Sequence, residues 1–281
     1  MKKAKKNRFD LLIDHLMTKA SKARLSRGRF TNRMEKRLVK RLKRIFDAQL
    51  IWVLKEAQKL NSFNQAEDVK MYTKKEISFD VALMLEDMPY QEDLADDLEL
   101  LASQTMLRAG KAQISKMKLG SAGIVFSLNH PEAVSYLETL KELHLSNYRG
   151  SINRTTKDKI KKLLVDGANE GLSYTEVAKQ ITAQGKAGVF SQARGELIAT
   201  REIGFAYSKG ERVVVDDYVQ ETGAVIEKNW LTANDGSVRD THTQNQNDGW
   251  ISINDYFSGT GEDAAPSNDF GCRCVTSYRE V

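Results

Sequence analysis

The sequence has only two cysteines, Cys272 and Cys274, and only three prolines in 281 residues. Two cysteines cannot form a disulfide scaffold, and their scarcity points to a chain made in a reducing compartment. So few prolines, beside 18 glycines, argue against long low-complexity linkers. Long apolar runs are missing too. No stretch approaches the roughly 20 residues that a membrane-spanning helix needs, so no membrane partner is expected. The N-terminus is basic but lacks an apolar segment ending in a small-residue cleavage site, and no secretory signal is expected. P-loop, dinucleotide-binding, zincin and nucleophile-elbow motifs are absent. There is no internal repeat.

The sequence does carry charge, unevenly spread. With 41% hydrophobic and 29% charged residues it can bury a core beneath a heavily charged surface. From Met1 to Arg44 there are 17 Lys and Arg against Asp10, Asp14 and Glu35, a net of +14, whereas the remainder carries −9. A basic arm on an acidic body suits contact with nucleic acid or another polyanion. An equal alternative is a solvated basic helix that meets an acidic protein surface.

Hydrophobic periodicity places helices along most of the chain. Phe9, Leu12, Ile13 and Leu16 recur at helical spacing, and the polar run Ala20 to Phe30, with Gly28, reads as a flexible connection. Asn32 with Glu35 resembles a helix-starting cap. Met34, Leu38, Leu42, Ile45, Gln49, Trp52 and Val53 then form one stripe. Beside it runs a cationic row of Arg33, Arg37, Arg41 and Arg44, flanked by Lys36, Lys40 and Lys43. Residues 61–120 are expected to be helical, with Leu94, Leu98 and Leu101 on one face. Further helices are expected after Pro131, around Ile160 to Ala168, after the Ser173–Glu176 capping box, and from Ser191 to Lys209 or beyond. Past Gly223 the texture changes. Ala224–Thr232, Trp250–Ile253 and Cys272–Tyr278 read as short strands separated by Asn-, Asp- and Gly-rich loops. The expected fold class is α+β: a mainly helical N-terminal part, then a small α+β domain with a short antiparallel sheet near the C-terminus. The expected divisions are a basic arm over 1–30, a helical domain over 31–150 and a third unit over 151–281.

The last fifty residues carry the most specific signal. In order they present Trp230, Asn234-Asp235, Val238-Arg239, His242, Asp248-Gly249, Gly259, Gly261, Pro266 and Cys272-Arg273-Cys274. This succession, with Gly171-Leu172-Ser173 and Thr200-Arg201-Glu202 upstream, resembles the phage head morphogenesis domain of the Mu F-like minor head proteins. The resemblance covers roughly Ser151 to Tyr278. One departure is Thr200-Arg201-Glu202, where the family usually reads Arg-Thr-Glu. The resemblance implies a structural, non-enzymatic minor capsid protein of a tailed bacteriophage. Such a protein would bind the portal protein inside the head, and act in procapsid assembly and in DNA packaging or ejection. Its implied partners are the portal, packaged double-stranded DNA, and scaffolding or major capsid protein. Its implied location is the virion interior near the portal, reached through the host cytoplasm during assembly. In that setting Arg33, Lys36, Arg37, Lys40, Arg41, Lys43 and Arg44 would contact DNA without sequence preference.

Two readings of the C-terminal constellation stay open. Asp235, His242, Cys272 and Cys274 are four ligands of types that zinc accepts, and a structural ion would staple a loop-rich unit with little core. Alternatively Asp235, Arg239 and His242 form a hydrogen-bonded network and the cysteines are simply buried. A disulfide between cysteines two residues apart is disfavoured by ring strain. Trp230 and Arg239 are structural residues of the motif, and Trp230 and Trp250 are expected in the core rather than stacked on bases. His15, His130 and His144 are expected in surface or packing roles. The competing functional reading is a metal-dependent nuclease or toxin-like effector, with Glu262, Asp263 or Asp248 as general base.

Overall fold

The structure, a computed structural model, describes residues 8–60, 74–145, 151–170, 172–234, 237–269 and 271–281. The described residues form eight α-helices and one three-stranded sheet, the α+β architecture expected, with the sheet near the C-terminus. The helices are α1 (Arg8–Ala57), α2 (Lys74–Glu86), α3 (Gln91–Met117), α4 (Pro131–Leu145), α5 (Ile152–Asn169), α6 (Tyr174–Ala187), α7 (Gln192–Thr222) and α8 (Asp240–Asn247). None of them is long and apolar enough to cross a membrane.

Helix α1 departs from the sequence reading. It runs unbroken through the segment expected to be a flexible connection, so Asn32 and Glu35 lie inside a helix instead of starting one. No proline interrupts that segment, and one glycine costs only about 1 kcal/mol against alanine. Phe30 also packs against the core, with the Arg108 guanidinium 5.9 Å from its ring centre, which anchors the helix where a break was expected. Side chains of the early stripe at Phe9, Leu12, Ile13 and Leu16, and of His15, fall outside the described residues. The later stripe buries as its spacing requires: Met34, Leu38, Leu42, Ile45, Gln49 and Val53 all face inward. Gln49 is tolerated there because its amide donates to the Pro89 carbonyl at 3.1 Å.

The stripe of α1 shares one hydrophobic core with α3 and α7. Helices α3 and α7 approach closely at Gly210, where a Cβ would come within 2.5 Å of the Met106 carbonyl oxygen. Helix starts follow local chemistry. Ser151 and Ser191 each accept a backbone N–H three residues on, at 3.1 Å, and Ser173 with Glu176 forms the full capping box. Helix α7 ends at Gly223, whose φ of 69° favours a residue without Cβ.

Strands β1 (Ile226–Leu231), β2 (Trp250–Ser252) and β3 (Val275–Glu280) pair antiparallel in the order β2-β1-β3. Register pairs Asn229 with Trp250, Lys228 with Tyr278, and Trp230 with Thr276. Period-two alternation turns Ile226, Lys228 and Trp230 to the same buried face. Lys228 is therefore forced inward by its neighbours: fully buried, it donates from Nζ to the Ile253 carbonyl at 2.9 Å, beside the Phe257 ring. Two small clusters back the sheet. Val215, Ile226, Ile253 and Tyr278 join it to α7, and Trp230, Phe257, Ala265, Cys272 and Cys274 fill its other end.

Candidate functional site

Between β2 and β3 the described chain, residues 253–269 and 271–274, makes no helix or strand. Its backbone groups are held by side chains instead. Asn245, fully buried on α8, accepts from the N–H of Gly259 (2.8 Å) and of Thr260 (3.0 Å) and donates to Thr260 Oγ1 (2.8 Å). Asp248 accepts from the backbone and hydroxyl of Ser258. Helix α8 thus acts as a polar hub for the loop, a role the sequence reading missed in the Asn- and Gln-rich run Thr241 to Asp248.

The chain then enters β3 through Cys272-Arg273-Cys274. An extended backbone turns alternate residues to opposite sides, so both cysteines are buried while Arg273 points outward. The Arg273 guanidinium reaches Glu35 of α1 and Thr200 of α7, each at 3.4 Å, and ties this segment to the helical body. Inward, both thiols meet His242 of α8. His242 Nδ1 lies 3.8 Å from Cys272 Sγ and 3.6 Å from Cys274 Sγ, and its ring is 2% exposed. The Trp230 ring stands 5.6 Å away, tilted. On the far edge of the imidazole, Nε2 lies 3.1 Å from both Asp269 Oδ2 and Ser267 Oγ. A carboxylate at Nε2 holds the ring proton there and leaves the Nδ1 lone pair facing the sulfurs.

The two thiols are electrostatically unequal. The Cys274 thiol beside it pulls Cys272 below the ordinary thiol range against the opposing effect of burial, helped by the Ser267 N–H at 3.4 Å. The same hydrogen bond, with burial, pushes Cys274 well above the ordinary thiol range. Both cysteines and His242 border a cavity of about 450 Å³ that also touches Thr200, Ala233 and Arg239.

Of the four expected zinc ligands, the fold brings His242, Cys272 and Cys274 together, with ligand atoms all within 4.8 Å of one another. Asp235 lies outside the described residues. Trp230 is in the core as expected, while Trp250 is 36% exposed under the Arg279 guanidinium. Arg239 approaches Asp269 at 3.7 Å. Asp269 and Ser267, which orient the imidazole, were not singled out from sequence, because no spacing rule links them to His242. The carboxylates considered as general bases are engaged elsewhere: Asp248 with Ser258, Glu262 with Asn268, and Asp263 with Arg212.

The cationic row on α1 is mostly on the surface. Arg33, Lys36, Arg37, Lys40, Lys43 and Arg44 are exposed. Arg41 is half-buried and paired with Asp97 of α3, and Arg37 donates to Gln104 at 3.3 Å. Arg33, Lys36, Lys40, Lys43 and Arg44 make no ion pair with a described residue.

Residues 158–277 match the model of the Phage Mu protein F like family. This part of the chain, a little under half of it, is similar to Mu F-like proteins. The matched region runs from within α5 into β3, so it contains the whole His242, Cys272, Cys274 cluster, whereas the basic row of α1 lies outside it. The match points to a phage head morphogenesis protein. No curated protein and no solved structure matches the chain.

Proposed function

We propose that the protein is a non-enzymatic minor head protein of a tailed bacteriophage that binds the portal protein inside the head. It acts there in procapsid assembly and in DNA packaging or ejection. The observation that carries this reading is the Mu F-like match over residues 158–277. The exposed cations of α1 that form no ion pair with a described residue support a second element of it, sequence-independent contact with packaged double-stranded DNA. The matched region then serves as the portal-docking unit, and scaffolding or major capsid protein meets the same assembly before maturation. Engagement of Asp248 with Ser258, Glu262 with Asn268 and Asp263 with Arg212 of α7 favours this reading over a nuclease, which needs a free base beside its metal.

The test is co-expression with the portal protein of the same genome, followed by size-exclusion chromatography and mass spectrometry of purified virions. A stable complex with the portal and presence of the chain in virions are expected. Absence from virions, or degradation of supercoiled plasmid with added zinc, magnesium or manganese that His242→Ala abolishes, would overturn the reading.

A further inference from the structure

We infer that His242, Cys272 and Cys274 bind a zinc ion that staples α8 to the chain entering β3. The inference does not depend on the head-protein reading. Its first support is distance. With Zn–S near 2.3 Å and Zn–N near 2.0–2.1 Å, a tetrahedral ion separates sulfur and nitrogen by about 3.6 Å. The observed Nδ1 to Sγ distances are 3.6 and 3.8 Å, so both sulfur–nitrogen separations match such a site, and the two sulfurs lie within 4.8 Å of each other.

The second support is the surroundings. Asp269 and Ser267 hold Nε2, the arrangement that fixes a metal-bound imidazole by its outer nitrogen and raises its basicity. Two thiolates with one divalent ion sum to no net charge, which suits burial among Trp230, Phe257 and Ala265. Two soft sulfurs and an imidazole select zinc over magnesium or calcium, which prefer oxygen. The three donors border the cavity beside Ala233 and Arg239, which has room for a fourth ligand.

The third support is need. His242 and Cys272 are 30 positions apart, and much of the intervening chain has no regular secondary structure. The apolar cluster closing over it is small. A long irregular segment in a compact unit calls for a device that pins it, and an ion joining its two ends does so.

The test uses the full chain purified without a polyhistidine tag, with zinc alone as the probe. After dialysis against a weak chelator the protein is expected to retain one zinc per chain. Cobalt in its place should give the near-ultraviolet thiolate charge-transfer band and the visible bands of a tetrahedral site. Cys272→Ser and Cys274→Ser should each lose most of that signal. Asp269→Asn should keep the band but weaken zinc affinity by roughly 10–100-fold, since Asp269 acts through His242. Free zinc a thousandfold above its dissociation constant should raise the melting temperature by about 10 °C. Should the cysteine variants not fold, thiol labelling of the wild type decides: zinc should protect both thiols and a strong chelator expose them. No retained zinc, a cobalt band that survives both cysteine substitutions, or thiols equally reactive with and without zinc would overturn the site.

Discussion

The electrostatic face of α1 allows a quantitative prediction. Arg33, Lys36, Lys40, Lys43 and Arg44 are exposed and free of ion pairs with described residues, so these five, and not Arg41 or Arg37, are the ones to neutralise. From residue 33 to residue 44 a helix rises about 16 Å. Duplex DNA carries one charge per about 1.7 Å of axis, so that length offers roughly ten phosphates, enough for five contacts on the side facing the helix. Each phosphate neutralised contributes about 0.9 to the slope of log affinity against log salt. Replacing all five by Gln should therefore reduce the slope by up to about 4.5. Between 50 and 200 mM salt the wild type would then lose roughly 500-fold more affinity than the variant. Glutamine has nearly the helix propensity of lysine and arginine, so α1 should persist, which circular dichroism would check. The assay is fluorescence anisotropy with two short duplexes of unrelated sequence across that salt range. The ten Lys and Arg that precede Arg33 stay in both proteins, so the difference in slope isolates the row. An unchanged slope and affinity, or a strong preference for one duplex, would refute the DNA-facing row and direct attention to an acidic protein surface.

Two glycines in helices should respond to alanine with opposite sign. Gly210→Ala drives a methyl group toward the Met106 carbonyl and should destabilise by about 1–3 kcal/mol or more, whereas Gly28→Ala meets no described atom within 4 Å and should stabilise by up to about 1 kcal/mol. Urea unfolding measures both, and a neutral or stabilising Gly210→Ala would show that α3 and α7 are not so closely packed. Lys228 should impose a pH dependence. Burial, with the charge of Arg212 next, lowers it from 10.5 to about 8. Between those values the unfolded chain keeps a proton that the folded chain has released, so stability rises with pH. Relative to Lys228→Met, the wild type should gain roughly 3 kcal/mol from below pH 8 to pH 10.5. Parallel stability–pH curves for the two proteins would refute the buried lysine.

Much of the secondary structure was legible because it depends on patterns within single segments. The stripe from Met34 to Val53, the capping box at Ser173 and Glu176, Pro131 at a first helical turn and the three strands all repeat at periods set by the backbone. The break expected between Ala20 and Phe30 failed for an instructive reason: local composition suggested a loop, but Phe30 is held by Arg108 and the core, which lie far away in sequence. Lys228 is a related case. Its residue type argued for the surface, and the alternation of Ile226 and Trp230 on either side overrode it. At the candidate site the sequence by itself offered four candidate donors, two cysteines on one side of an extended strip with Asp235 and His242 upstream, and the resemblance to Mu F-like proteins. Only the tertiary structure decided that His242 turns Nδ1 toward both sulfurs and that Asp269 and Ser267 hold its other nitrogen. It also decided that Arg41 is spent on Asp97 and Arg37 on Gln104, while Arg33, Lys36, Lys40, Lys43 and Arg44 make no ion pair with a described residue. These are contacts between residues tens of positions apart, brought together by how α8 and the irregular segment fold back on the sheet, and no local period encodes them.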